Sequence, residues 1–385
     1  MVPLKHKVAY LINTVVSPSG GTEKQLLLLL RHLDRELFEP TLFCLESSPW
    51  LEENFHECSL RILRISSFKS PMFLWRLAAL TATLRRENFS VLQTHFGDAN
   101  SVGILAARMA GVPVIISTRR GVPYWQSRLG LNWMRLLNTR VTFFLANSFR
   151  TRDWVVSKEG VAPERIGVVH NGVDPDLYVY PEQLRREGRG EFGLSERAPV
   201  IGIVANLRPV KGLDVFLRAA ARVVEELPQA RFLIIGEGDE RQALQKLARA
   251  LGIAGQVLFL GNRQDVPDLL SLLDVGVLSS NSESFSNAIL EYLAAGLPVV
   301  CTDVGGCREV IEDGRDGFIV PPGDDCEMAR RILQLLGRKP SSRERKRLRN
   351  RLERDFSIRA MVESHQQIYL QLLGGRPAAQ AALRG

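Results

Sequence analysis

The stretch VGVLSSNSESFSNAILEYLAAGLPVVCT, Val275 to Thr302, decides the fold of this chain. It starts with a short run of apolar residues, continues with helical periodicity from about Ser286, and ends in a second apolar run. A strand, a helix and another strand in succession are typical of a parallel βαβ unit. The stretch therefore predicts an α/β fold.

The same alternation extends over the whole chain. Helical stretches such as 22–33 and 101–110 separate candidate strands at 8–13, 41–45, 91–95, 113–118, 142–147, 200–205, 231–236, 256–261, 275–280, 298–302 and 317–321. The 385 residues also exceed the roughly 250 to 300 at which a single core stops growing. We therefore expect two Rossmann-like doubly wound domains.

A segment rich in proline, glycine and charge separates the two halves and predicts a linker. We predict an N-terminal domain at 1–172, a hinge and linker at 173–198, a C-terminal domain at 199–354, a C-terminal helix at 355–374 and a disordered tail at 375–385. In doubly wound sheets, ligands bind beyond the carboxyl ends of the strands. Functional residues should therefore lie in the loops from strand to helix.

Composition narrows the class of protein. Hydrophobic residues make up 45% and charged residues 24%, which is typical of a globular chain. The five cysteines form no CxxC pair, so we expect no structural metal site and a reducing, cytoplasmic location. No apolar run approaches the ~20 residues that cross a bilayer.

The net charge of +8 raises the question of an anionic partner. Much of the excess lies in Arg338 to Asp355, a pattern typical of a solvated charged helix. No nucleic-acid-binding motif accompanies it. We therefore expect no nucleic-acid partner.

Cationic residues follow the candidate strand at 200–205. Arg208 and Lys211 fall in a loop, where they are suited to hold a diphosphate and to neutralise the charge that develops as it leaves. A pair of solvated surface cations is the alternative interpretation.

Two carboxylates follow the candidate strand at 275–280. Glu283 falls in the loop, whereas Glu291 falls more than one turn into the next helix. The amides between them can face an anion; they belong to Phe285, Ser286 and Asn287. This layout suits a nucleotide sugar, with one carboxylate for ribose hydroxyls and one for sugar hydroxyls. An N-cap loop with an ordinary surface glutamate is the alternative.

Small and polar residues follow strands of the first half as well. Gly20 and Gly21 open the first predicted helix and allow a ligand to approach the backbone. His95 ends one strand, where it could contact a sugar hydroxyl or an acceptor. Arg119 and Arg120 end the next strand and are predicted to bind the acceptor.

Asp174 and Asp176 form a DPD triplet that is similar to the metal-binding DxD found in some sugar transferases. The triplet directly follows Asn171 and Gly172, where Asx turns are common. We therefore predict a turn, and no metal or other cofactor.

The second half strongly resembles the GT-B glycosyltransferases of family 4, also described as glycosyl transferases group 1. The resemblance rests on residues 204–223, 230–241 and 257–324, and on the seven residues between the two glutamates. Upstream, 17–26, 146–156 and 168–174 resemble the family's glycine loop, a late strand of its first domain and its hinge. The last helix, 356–373, resembles one that crosses back to the first domain.

The resemblance implies two domains that face each other across a cleft, and a retaining, metal-independent hexosyltransferase. Its donor would be a UDP or GDP sugar, and its acceptor a glycan or lipid-linked molecule in the synthesis of cell-surface polysaccharide or glycoconjugates. The family pattern assigns the ribose to Glu291, the donor sugar to Glu283 and the diphosphate to Lys211. The amides of the intervening turn, Phe285 to Asn287, would hold the sugar or diphosphate.

Two departures from the family pattern concern the donor site. The family's arginine commonly lies five residues before the lysine, but Asn206 occupies that position and the arginine is Arg208. Ser284 and Ser286 stand where the family often has glycine, which narrows the space around the sugar.

Other functions remain open from the sequence. They are a nucleotide-sugar epimerase of the same architecture, a phosphorylase, a non-catalytic nucleotide-sugar-binding protein and a nucleic-acid-binding module. A peripheral membrane contact is a further hypothesis, because 73–86 and 124–137 mix Trp, Leu and Arg as interfacial helices do. Ordinary core helices have a similar composition.

Overall fold

The computed structural model describes residues 5–18, 20–121, 128–178, 182–338 and 341–375. The chain divides into two compact units. The first comprises 1–172 together with 358–385, and the second comprises 173–357. Each unit is built on a parallel sheet, which confirms the predicted fold class of two α/β domains.

The first unit contains a seven-stranded sheet in the order β3-β2-β1-β4-β5-β6-β7. The strands are β1 (His6–Ile12), β2 (Phe38–Cys44), β3 (Ser59–Ile62), β4 (Val91–Thr94), β5 (Val114–Arg119), β6 (Phe143–Ala146) and β7 (Ile166–Val168). The order reverses between β1 and β4. The loops after these two strands therefore flank the topological switch point, where doubly wound sheets bind ligands.

The second unit contains a six-stranded sheet in the order β10-β9-β8-β11-β12-β13. The strands are β8 (Val200–Val204), β9 (Arg231–Ile235), β10 (Val257–Gly261), β11 (Val275–Leu278), β12 (Val299–Thr302) and β13 (Gly317–Val320). Its switch point lies between β8 and β11. The strands are almost entirely apolar because helices cover both faces of the sheet.

Helices connect the strands in both units. Those of the first are α1 (Gly21–His32), α2 (Pro49–Asn54), α3 (Met72–Arg86), α4 (Gly97–Ala110), α5 (Arg128–Asn138) and α6 (Phe149–Trp154). Those of the second are α7 (Glu182–Glu191), α8 (Leu213–Glu226), α9 (Arg241–Ala250), α10 (Val266–Ser271), α11 (Asn287–Ala294), α12 (Cys307–Val310), α13 (Asp325–Leu336) and α14 (Ser342–Asp355). The last helix, α15 (Ile358–Leu373), belongs to the first unit.

Shorter helical turns complete the chain. They are a π-helix at Val155–Glu159 and 3-10 helices at Pro163–Arg165, Pro175–Tyr178 and Pro209–Lys211.

The first unit has a separate core on each face of its sheet. On one face, α3, α4 and α5 pack through residues such as Leu80, Val102 and Leu137. On the other, α1 packs with α15, which contributes Ile368 and Tyr369. The Tyr369 hydroxyl donates to Gln93 Oε1 at 2.6 Å. The chain therefore returns to the first unit after completing the second.

The segment 173–198, interpreted from the sequence as hinge and linker, is packed into the second unit. The Val173 amide donates to the Phe356 carbonyl at 2.8 Å. Arg189, on α7, is 3% exposed and donates to the Leu272 carbonyl and to Asp274 Oδ2. Proline, glycine and charge therefore mark packed turns here, and not a free connection.

The basic segment near the end of the second unit forms α14. Arg347 and Arg351 on this helix both pair with Glu312 and Asp316, at 2.6 to 2.8 Å. Two arginines of the face predicted to be solvated thus form an ion-pair network that fixes α14 to the second unit. The tail that the sequence predicts to be disordered lies outside the described residues beyond Gly375.

Among the helices that the structure describes, none is long and apolar enough to span a membrane.

Candidate functional site

The loops after β8 and β11 meet at the switch point of the second sheet. Lys211 ends the loop after β8, and its Nζ lies 2.5 Å from Glu283 Oε1 in the loop after β11. The lysine side chain is 24% exposed and the glutamate side chain 11%. The pair is therefore largely shielded from water but still accessible to a ligand.

The backbone of the two loops is fastened together beneath this pair. Ser279 Oγ donates to the Lys211 carbonyl at 2.9 Å, and the Asn281 amide donates to the Val210 carbonyl at 2.8 Å. Gly212 follows Lys211 with φ at +60°, and a Cβ there would lie 2.3 Å from the Ser279 carbonyl oxygen. Only glycine permits this close approach.

Glu283 is positioned by neighbours from a third strand. Ser280 Oγ donates to Glu283 Oε1 at 2.8 Å, and Thr302 Oγ1, at the end of β12, donates to the Ser280 carbonyl at 2.6 Å. Gly305 packs against the same loop with φ at +52°, and a Cβ there would lie 2.5 Å from the Glu283 carbonyl oxygen. The carboxylate is thus held by three adjacent strands.

Glu291 lies one turn into α11, which begins directly after the loop that carries Glu283. It is 7% exposed. The next residue, Tyr292, is fully buried and accepts a hydrogen bond from the Val204 amide at 2.7 Å. Tyr292 therefore joins α11 to β8 and fixes Glu291 beside the switch point.

The turn before α11 holds the three residues predicted to face an anion. Phe285 and Ser286 are 6% and 7% exposed, and Asn287 is half-buried as the first residue of the helix. Ser286 is the N-cap, and its side chain makes no capping hydrogen bond. The positive end of the helix dipole lies at this turn.

Asn206 and Arg208 flank the fully buried Leu207 in the loop after β8. The Leu207 amide donates to the Glu237 carbonyl at 3.0 Å, which fixes the middle of the loop. Both flanking residues are exposed. Both side chains are therefore accessible to a phosphate group.

The arrangement provides one cation, two carboxylates and a helix N-terminus within one loop cluster. A cation and a helix dipole stabilise negative charge, and carboxylates accept hydrogen bonds from hydroxyl groups. The site can therefore hold a ligand that combines an anionic centre with hydroxyl groups.

Gly20 and Gly21 lie where α1 begins, in the loop after β1. Gly20 is the N-cap, with φ at −61° and ψ at 136°. The glycine loop thus lies at the switch point of the first sheet, and its role in ligand binding stays a prediction.

The position of His95 argues against the direct contact with a sugar hydroxyl or an acceptor that the sequence suggests. Its side chain is fully buried, 3.2 Å from Thr118 Oγ1 and 3.3 Å from Gln93 Nε2. Burial, together with Arg120 and His365 nearby, holds the pKa of His95 well below its usual range. A neutral imidazole inside this network can position neighbours but touches no solvent.

The position of Arg119 also argues against its predicted acceptor-binding role. Its guanidinium is 6% exposed and donates from Nε and Nη2 to Glu159 at 2.8 to 3.1 Å. The remaining donors go to the Asn138 side chain, Ser117 Oγ and the Thr118 carbonyl. With every donor used, Arg119 is a structural residue.

Arg120, in contrast, is only half-buried and donates to Asn171 Oδ1 at 2.9 Å. Burial lowers its pKa to about 10, so the guanidinium stays charged at neutral pH. Of the predicted pair, Arg120 is the more exposed residue, and its acceptor-binding role stays a prediction.

The DPD triplet forms the predicted turn. The Asp176 amide donates to Asp174 Oδ1 at 3.0 Å, and the Asp176 side chain pairs with Arg349. Within the described part of the chain, no group of three or more His, Cys, Asp or Glu side chains could hold a metal ion.

Comparison with known proteins decides the family. A family model described as Glycosyltransferase Family 4 matches residues 19–177, and one described as Glycosyl transferases group 1 matches residues 198–338. The N-acetyl-alpha-D-glucosaminyl L-malate synthase of Bacillus anthracis is 30% identical over 335 residues, 83% of this chain and 84% of that protein. This chain belongs to the family 4 glycosyltransferases.

Further relatives agree with this assignment. A second relative of this glycosyltransferase is the Escherichia coli UDP-Gal:alpha-D-GlcNAc-diphosphoundecaprenol alpha-1,3-galactosyltransferase, 26% identical over 92% of this chain and 94% of that protein. The Anabaena protein HepE in complex with UDP has the same fold, with a TM-score of 0.82, 22% identity, and coverage of 94% of this chain and 98% of that one. The chain is therefore a transferase, and the predicted GT-B fold is confirmed.

The sequence did not single out several residues that position this glycosyltransferase's site. They are Gly212, Ser280, Tyr292, Thr302 and Gly305. The glycines had a sequence signal, because each lies in a loop between a predicted strand and a helix. The hydrogen-bonding residues had none, since their roles depend on which strands are neighbours.

Proposed function

We propose that this glycosyltransferase transfers a sugar from a UDP or GDP sugar to a glycan or lipid-linked acceptor, with retention of anomeric configuration. The observation that carries the proposal is the Lys211–Glu283 pair beside the N-terminus of α11. Lys211 can neutralise a diphosphate, and Glu283 can accept hydrogen bonds from sugar hydroxyls. A nucleotide-sugar donor carries both kinds of group.

Each group has a distinct role in the proposed donor complex. Lys211 and the first turn of α11 stabilise the diphosphate, Glu291 accepts hydrogen bonds from the ribose hydroxyls, and Glu283 binds the donor sugar. Asn206 or Arg208 supplies a further contact to the phosphates.

The proposed reaction exchanges one bond at the anomeric carbon for another. The bond from C1 of the sugar to the diphosphate oxygen breaks, and a bond from C1 to an acceptor hydroxyl oxygen forms on the same face. The acceptor proton passes to the leaving phosphate oxygen. Lys211 and the α11 dipole stabilise the charge that builds on the diphosphate. In metal-dependent enzymes a metal ion has this role.

The acceptor class is supported by relatives and by Arg120. The Escherichia coli relative is named for a diphosphoundecaprenol-linked GlcNAc acceptor. Arg120 directly follows β5 and keeps a charged guanidinium, suited to an anionic acceptor. We propose an acceptor used in cell-surface polysaccharide or glycoconjugate synthesis.

The test is a transfer assay with UDP and GDP sugars, with and without EDTA, in which the product anomer is determined by NMR spectroscopy. We expect a product with the donor's anomeric configuration and unchanged turnover in EDTA. An inverted product would overturn the retaining mechanism. Loss of turnover in EDTA, restored by a divalent cation, would overturn metal independence.

A further inference from the structure

Exposed large apolar side chains are concentrated on one layer of the first unit. This layer consists of α3, α4 and α5, with the turns that lead into α3 and α4, and carries nine of the thirteen such residues in the described part of the chain. They include Leu74 and Trp75 on α3, Met109 on α4, and Leu129, Trp133 and Leu136 on α5. Among the described residues of the second unit, Leu177 is the only one.

The geometry of α5 shows that its exposed residues form an outer stripe. Leu129, Trp133 and Leu136 recur at the spacing of one helix face, whereas Met134 and Leu137 pack into the core. Leu129 is 81% exposed. A surface helix normally presents a polar outer face to water, so an apolar one indicates a partner.

The outer face of α3 has the same character. Leu74 is 72% exposed and Trp75 is 67% exposed, while Leu77, Leu80 and Leu84 face the core. Arg76 is the single charged residue of this helix before Arg85. The apolar outer surface therefore extends over most of the helix.

The same layer is strongly basic. The helices α3, α4 and α5 contain six Arg and a single acidic residue, Asp98. The segment between β3 and α3 adds Arg64 and Lys69 and contains no Asp or Glu. A partner of this layer should be anionic.

An open groove of about 490 Å³ between β3 and α3 combines the two properties. Arg64, Arg76 and Trp75 line it. Arg64 and the nearby Lys69 are exposed and Arg76 is half-buried, and none of these three cations has a carboxylate partner in the part of the chain that the structure describes. The groove therefore offers uncompensated cations beside an indole ring.

We propose that the outer face of α3, α4 and α5 docks on an anionic phospholipid surface. Leu74, Trp75 and the α5 stripe enter the headgroup region, and Arg64, Lys69 and Arg76 face lipid phosphates. Amphipathic helices that bind in the plane of a membrane combine exposed Trp and Leu with Lys and Arg in this way. A nucleic acid would match the charge but not the exposed aliphatic stripe, and it is the competing outcome of the test.

This inference is independent of the proposed donor chemistry. The layer belongs to the first unit, whereas the Lys211–Glu283 pair belongs to the second. Vesicle binding is measured without a nucleotide sugar. Either proposal can therefore fail while the other stands.

The test is flotation of the full chain with phosphatidylcholine vesicles and with vesicles containing about 30% phosphatidylglycerol. We expect binding to the anionic vesicles only. The triple variant Arg64→Gln, Lys69→Gln, Arg76→Gln should lower the partition coefficient roughly a hundredfold, because each basic residue near an anionic surface contributes about fivefold. Leu74→Ser should lower it roughly tenfold, because one leucine no longer enters the interface.

Matched controls lie in the second unit. One control is the triple variant Arg186→Gln, Lys246→Gln, Arg249→Gln, which removes three exposed charges of that unit. The other is Leu177→Ser, which removes an exposed leucine. Both should bind as the parent does. Equal losses in variants and controls, or equal binding to neutral vesicles, would overturn the proposal. Binding to an oligonucleotide duplex without binding to vesicles would assign the layer to nucleic acid instead.

Discussion

Lys211 and Glu283 form an ion pair at the carboxyl edge of the second sheet, with 2.5 Å between Nζ and Oε1. They are 72 positions apart in sequence and meet because β8 and β11 are neighbours. We expect a donor diphosphate to attract Lys211 and to release Glu283 for a sugar hydroxyl. The pair thus connects recognition of the leaving group to recognition of the sugar.

Replacing Lys211 should impair turnover more than stability. Lys211→Ala removes the cation that stabilises the developing charge on the diphosphate, so we expect kcat to fall by about 10² to 10³. Steady-state kinetics measures this effect. Lys246→Ala, which removes an exposed lysine on α9, is the control. A kcat equal to that of the control would contradict the role assigned to Lys211.

Gly212 should tolerate no side chain. Gly212→Ala forces a Cβ toward the Ser279 carbonyl, and we expect a loss of roughly 3 kcal/mol or more in the free energy of unfolding. Gly252→Ala is the matched control, because Gly252 also has positive φ but open space around its Cβ position. It should cost only about 1 kcal/mol. Equal losses in urea denaturation would show that the contact with Ser279 is unimportant.

Arg119 should prove structural. Arg119→Met leaves Glu159 buried without its cation, and we expect the free energy of unfolding to fall by about 3 to 5 kcal/mol. The double variant Arg119→Met, Glu159→Leu should recover most of that loss. If the single variant were as stable as the parent and only acceptor affinity fell, the acceptor-binding role would be restored.

Buried His365 should make stability depend on pH. Burial lowers its pKa to about 4, whereas the unfolded chain protonates it below about pH 6.5. Because the unfolded state binds the proton first, stability falls as pH decreases from 6.5 to 4. Between pH 7 and pH 5 the loss due to this residue should be about 2 kcal/mol.

Urea denaturation at the two pH values measures this contribution. His365→Gln should lessen the pH dependence by that amount, whereas His56→Gln, at an exposed histidine, should leave it unchanged. A parallel pH profile for parent and His365→Gln would contradict the assignment.

Most of the fold followed from local sequence pattern. All eleven candidate strands correspond to observed strands, because each is an apolar run bounded by polar residues or turns. β3 and β7 were missed: they are the two edge strands of the first sheet, β3 (SLRI) alternates polar with apolar residues and has no buried residue, and β7 has only three residues. Such short strands carry too little alternation to stand out from loops.

The candidate site was predictable in part. The loops that carry Lys211, Glu283 and Glu291 were located correctly, because strand ends in a parallel sheet share one edge. The burial of His95 was not predictable, since it depends on packing that is distant in sequence. Tyr369, 276 positions from Gln93, donates to Gln93, which lies next to the His95 imidazole. Long-range packing of this kind leaves no local pattern.

The most direct test of the donor site is a thermal-shift screen of UDP, GDP and ADP sugars against the parent and two variants. A donor that binds the folded protein at about 100 times its Kd stabilises it by about 2.7 kcal/mol. We predict that at least one donor raises the Tm of the parent and of Lys246→Ala, and that the shift is lost in Glu291→Ala and reduced in Lys211→Ala. No shift with any donor, or an equal shift in all variants, would contradict the account.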